Sequence, residues 1–143
     1  MDADVFVEVM QNDRQSLVNQ FQRSFEKIRI AEEYQSAKCI FIKPNLTYPR
    51  YKPGVTTRVL FVDCLVEALN TFPNKRKIYI GEGEGGYNSF SMTKTLELMG
   101  FFELEKKYKN VKVINLSELK TRTVPIETKF GQYEISLPDC FPS

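Results

Sequence analysis

The chain has 143 residues, 42% of them hydrophobic and 27% charged, with a net charge of +2 and no histidine. That length allows one domain that buries about two thirds of its unfolded surface, and the composition excludes a disordered or membrane-embedded chain. Without histidine, Ser–His and Cys–His catalysis and His-ligated metals are excluded, so acid–base work falls to Glu, Asp, Lys, Tyr or Cys.

Taken in chain order, Val5-Phe6-Val7-Glu8-Val9-Met10 alternates and predicts a first strand. From about Gln15 to Glu33 the apolar residues Leu17, Val18, Phe21, Phe25 and Ile28 recur at helical spacing. Cys39-Ile40-Phe41-Ile42 is continuously apolar, as expected of a strand covered on both faces, and Pro44 ends it. A polar loop follows from Asn45 to Thr56, with Thr56 or Thr57 placed to cap a helix over about Val59 to Phe72. That helix is apolar almost all round, apart from a stripe of Asp63, Glu67 and Asn70. It must be sandwiched between the sheet and another helix, or else meet a partner.

Lys77-Ile78-Tyr79-Ile80 predicts the next strand and runs into Gly81-Glu82-Gly83-Glu84-Gly85-Gly86. A helix from about Ser91 to Met99 ends at Gly100, and Phe101 to Tyr108 forms a second, short one. Val111 to Ile114 is a further strand, and Thr123–Ile126 with Tyr133–Leu137 makes a terminal hairpin. Alternating strands and helices predict an α/β fold: three layers, a mainly parallel sheet with helices on both faces, and a C-terminal β-hairpin, all within a single domain over 1–143. The N-terminus lacks a signal peptide and no apolar run is long enough to span a bilayer, which predicts no membrane association and a cytoplasmic location.

Cys39, Cys64 and Cys140 are odd in number and widely spaced. No iron–sulfur cluster or zinc knuckle is expected within the chain. The basic runs Lys75-Arg76-Lys77 and Lys106-Lys107-Tyr108-Lys109 precede strands and read as solvated turns, and the small net charge argues against nucleic acid.

In open parallel sheets, ligands bind beyond the carboxyl ends of strands. Two such ends carry unusual residues, Lys43-Pro44-Asn45 after Ile42 and the glycine-rich run after Ile80. Gly81-x-Gly83-x-x-Gly86 matches a dinucleotide pattern, but Glu82 and Glu84 have the wrong sign for a pyrophosphate. They suit a divalent cation or a positively charged group, and either could serve as a base. Lys43 and Glu82 are the catalytic candidates. Asn45, Thr56, Thr57, Gly83 and Glu84 are ligand-binding candidates, and Glu82 with Glu84 is a candidate metal pair. The same residues also read as scaffold: a Lys43–Glu82 salt bridge joining two loops, with glycines supplying positive φ. Tyr48, Arg50, Tyr51 and Lys52 place aromatics among cations, either as a stacking surface or as a solvated lid.

Ile42-Lys43-Pro44-Asn45-Leu46, Gly54-Val55-Thr56-Thr57 and Ile80-Gly81-Glu82-Gly83 together make the chain resemble domain of unknown function family 362, over roughly Ile40 to Asn115. The resemblance implies an α/β fold often found beside ferredoxin-type modules, hence a redox or metabolic setting, but no particular reaction. It points again to Lys43, Asn45, Thr56, Thr57, Glu82 and Gly83. Family members usually continue into a second half, so the chain is expected to be an incomplete version of the family domain. The open functional readings are a small-molecule or ion site at the strand ends, and a non-catalytic assembly domain whose apolar helix forms a homodimer interface or meets a missing second half.

Overall fold

The computed structural model describes residues 5–85 and 89–139. Three parallel strands run side by side in the order β1 (Cys39–Ile42), β2 (Lys77–Glu82), β3 (Val111–Asn115). Ile40 pairs with Ile78 and Ile78 with Val111, so the same face of each strand is aligned across the sheet. Ile78, Ile80, Val111 and Val113 are buried on that face, while Cys39, Phe41, Tyr79, Lys112 and Ile114 on the other are half-buried or exposed. The sheet is therefore packed from one side more than the other. The expected helical layer on the second face is not evident in this pattern. The reason lies in β1, whose apolar run is a short, half-buried edge strand rather than a doubly covered one.

Both crossovers step in the same direction along the sheet. The first crossover carries α3 (Val59–Leu69) and the second α4 (Met92–Leu98) and α5 (Glu103–Lys107), and the general rule of right-handed crossovers would set all three on one face. Ser91 opens α4 by accepting the Lys94 N–H, and Gly100 leaves it at φ 80°. On the far side of α3 lies α1 (Arg14–Lys27), started by Asp13 accepting the Ser16 N–H at 2.9 Å. Between these two helices runs a chain of rings: Phe61 on Phe21, Phe21 on Phe25, Phe25 on Phe72. The nearly all-apolar α3 is thus explained by its place between the sheet and α1, and Val62, Cys64, Val66, Ala68 and Leu69 are buried there.

Two expected elements differ. Residues 5–10 form no strand. Their alternation finds no ladder; the segment runs beside α1, where the Gln20 side chain accepts from Gln11 N and donates to Val9 O. Nor is the helix of Gln15 to Glu33 continuous. It stops at Ile28, turns through Arg29 at φ 53°, and restarts as α2 (Ala31–Ser36). Arg76 fixes α2 by donating to the carbonyls of Tyr34 and Gln35, so that residue is not a solvated cation. The hairpin is longer than predicted, with β4 (Thr121–Thr128) paired antiparallel to β5 (Gly131–Pro138). Among the described residues no helix is long and apolar enough to cross a membrane.

Candidate functional site at the strand ends

β1 and β2 are parallel neighbours, so the chain leaves both at the same edge of the sheet. After β1, Pro44 and Leu46 turn inward and are buried, leaving Lys43 and Asn45 exposed between them. The following loop is closed by its own ends. Asn45 N donates to Thr57 Oγ1 at 2.8 Å, Thr57 N donates to Asn45 O at 2.8 Å, and Asn45 Nδ2 donates to Val55 O at 2.9 Å. Thr56 Oγ1 accepts from Lys52 N at 2.8 Å. Neither threonine caps α3, as the sequence had suggested. Both hydroxyls are committed to the loop, and the N-cap is Arg58, whose guanidinium carries no acceptor and makes no side-chain cap bond.

Glu82 proves to be the last residue of β2, opposite Asn115 of β3, rather than part of a loop. Its Oε2 accepts from Lys43 Nζ at 2.5 Å and its Oε1 from Gly83 N at 2.9 Å. The lysine side chain is 59% exposed and the glutamate 13%, so the pair bridges the two strand ends with its cation toward water. Glu84 N donates to Ser117 Oγ at 2.8 Å, which ties the glycine-rich run to the turn after β3. The glycines are not there for positive φ: Gly81, Gly83 and Gly85 all lie outside that region. Gly81 is needed for space, since a Cβ there would come within 2.7 Å of Ile114 Cγ1 and its carbonyl oxygen. Gly86 falls outside the described residues.

Lys43, Asn45, Thr47, Glu82, Gly83, Glu84 and Gly85 line one cleft of about 200 Å³. Thr56 and Thr57 border a different cavity, with Tyr51 and Arg58. Tyr48 is flanked by Arg50 at 5.8 Å and Lys52 at 5.1 Å, so these aromatic and cationic groups stack on each other within the loop. Among the described residues no group of three or more His, Cys, Asp or Glu gathers as a metal site. Ser117 escaped the sequence reading, although it follows the third strand end and the same carboxyl-end rule points to it.

A second charged cluster lies between the helices. Asp63 accepts from Arg14 Nη1 at 2.6 Å, Lys107 Nζ at 2.9 Å and Tyr108 Oη at 2.7 Å, while Arg14 also pairs with Glu67. Burial opposes the Asp63 charge, but the bonds from Arg14, Lys107 and Tyr108 outweigh it and hold the carboxyl at about 2. Burial and then Asp63 push the Tyr108 hydroxyl upward. Asn70, the third polar residue of the stripe, accepts from Asn110 Nδ2 at 2.8 Å. Cys64 is buried, and burial raises its thiol; Cys39 is a half-buried free thiol, and Cys140 lies outside the described residues.

A three-stranded parallel sheet with helices in its crossovers and a C-terminal antiparallel strand pair makes this a mixed α/β fold. The family model described as "Domain of unknown function (DUF362)" matches residues 40–139, and the chain belongs to that family. The match takes in the hairpin as well as the sheet, extending beyond Asn115 where the recognisable motifs stop. No curated protein and no solved structure matches the chain.

Proposed function

We propose that the cleft between Lys43 and Glu82 binds a small carbonyl or carboxylate compound, with Lys43 holding its oxygen and Glu82 positioned to accept a proton. The observation that carries this reading is the Lys43–Glu82 pair at the carboxyl edge, with its ammonium mostly in water and, among the described residues, two of three N–H donors unspent. Asn45 and the Gly83 backbone border the ligand, and Glu84, which has no ion pair among the described residues, takes a cationic part of it or a hydrated divalent ion. Thr56 and Thr57 act one step back, by closing the loop that presents Asn45. A cleft of about 200 Å³ restricts the ligand to a few heavy atoms. The assembly reading loses its main support, because the apolar helix it relied on is covered by α1 and its polar stripe is paired within the chain.

Pyruvate and magnesium, titrated separately while backbone amide NMR shifts are followed, test the proposal. The expected result is a saturable shift at Lys43, Asn45 and Gly83 with pyruvate, lost in Lys43→Ala, and slow exchange of the pyruvate methyl protons into deuterated water that falls at least tenfold in Glu82→Gln. Pyruvate that shifts nothing there, or shifts Lys43→Ala equally, overturns it.

A further inference from the structure

A cavity of about 550 Å³ opens at the elbow between α1 and α2, beside the C-terminal end of α3 and so remote from the Lys43–Glu82 cleft. Its volume lies within the range of small-molecule pockets, roughly 300–1,000 Å³. Its floor is aromatic. Phe25 packs on Phe72 at 5.7 Å, and Phe72 in turn on buried Tyr34 at 4.6 Å. The walls are held from outside, because Arg76 N donates to Tyr34 Oη at 3.1 Å and its Nε to Tyr34 O at 3.2 Å.

The rim carries charge of both signs: Glu26 and Glu32, with Arg29 in the sequence between them. Among the described residues none of the three has an ion-pair partner. Arg29 stands in the left-handed region at φ 53°, a conformation that non-glycine residues adopt rarely and that recurs at ligand clamps. All three rim residues are exposed to water, and a purely apolar ligand would use none of these charges. An amine alone would leave Arg29, and an acid alone would face two carboxylates.

We infer that the elbow binds an aromatic α-amino acid, its ring against Phe25 and Phe72, its ammonium toward Glu26 and Glu32, and its carboxylate on Arg29. Charge complementarity singles out the free amino acid, since the same residue inside a peptide chain carries neither charge. This site is independent of the strand-end cleft, and either can fail alone.

Saturation-transfer NMR on the full chain tests it, with L-phenylalanine, phenethylamine and 3-phenylpropionate as probes at millimolar concentration. L-phenylalanine is expected to bind most tightly, with saturation strongest on its ring protons. Arg29→Asn, which keeps a residue tolerant of left-handed backbone, should weaken L-phenylalanine about tenfold and leave phenethylamine unchanged. Glu26→Gln with Glu32→Gln should weaken both amines. No transfer to L-phenylalanine, equal binding of 3-phenylpropionate by the wild type, or undiminished binding in Arg29→Asn while thermal melting shows that variant folded, would overturn the inference.

Discussion

Asp63 and Glu82 are both carboxylates facing lysine or arginine, yet their surroundings have little in common. Asp63 meets Arg14 from α1, Lys107 from α5 and Tyr108 from the end of α5, with its side chain 14% exposed. Glu82 meets a single lysine at the sheet edge and its own neighbour's N–H, and the cavity in front of it is open. Donors from separate elements converging on one half-buried carboxylate knit helices together. One solvated cation across an open cleft leaves donors and space for something else. Ion pairing alone therefore does not mark a functional site.

The sharpest way to break this contrast is Asp63→Asn. It leaves Arg14 and Lys107 facing a neutral amide in a half-buried position, and should cost about 2–3 kcal/mol in urea unfolding. A loss under ~0.5 kcal/mol would class the cluster with ordinary surface pairs. Acid titration sharpens the same point with a smaller effect. The folded carboxyl lies at about 2 against an ordinary value of 3.8, so its stabilisation is complete above 3.8 and disappears as pH falls from 3.8 to about 2. With partial solvent screening that amounts to about 1–2 kcal/mol, measurable as a steeper acid loss in the wild type than in Asp63→Asn. Smallest of all is Lys43→Ala, which should change the unfolding free energy in urea by less than ~1 kcal/mol while abolishing the proposed ligand response. A loss above ~2 kcal/mol would make the lysine a structural pin instead.

Much of the fold was legible because periodicity and burial agree. The apolar runs ending at Ile42 and Ile80 are strands, the over-apolar segment from Val59 is the sandwiched helix, and Gly100 ends a helix at positive φ. The meeting of Lys43 and Glu82 followed from parallel topology alone. What failed needed tertiary knowledge. Val5 to Met10 has a strand's alternation but no neighbouring strand, and pattern cannot supply a partner. The break at Arg29 falls inside a sequence that reads as continuous helix, and it is fixed by the seating of Tyr34 on Phe72 and Arg76 on α2. The threonine pair looked like a cap because caps are local, whereas the true partners, Asn45 and Lys52, are set by loop closure. The stripe of Asp63, Glu67 and Asn70 was visible, but its donors came from two distant parts of the chain, Arg14 and the stretch from Lys107 to Asn110.

The family match begins at Ile40, while Arg14 to Lys27 and Ala31 to Ser36 precede it. Leu17, Val18, Phe25 and Tyr34 nonetheless belong to the same core as Val62, Val66 and Ile78. Trimming the chain to its matched residues would strip the rings from Phe61 and Phe72 and remove the guanidinium from Asp63 and Glu67. The family match and the hydrophobic core thus have different borders here, and the segment ahead of the match is part of what keeps α3 out of water.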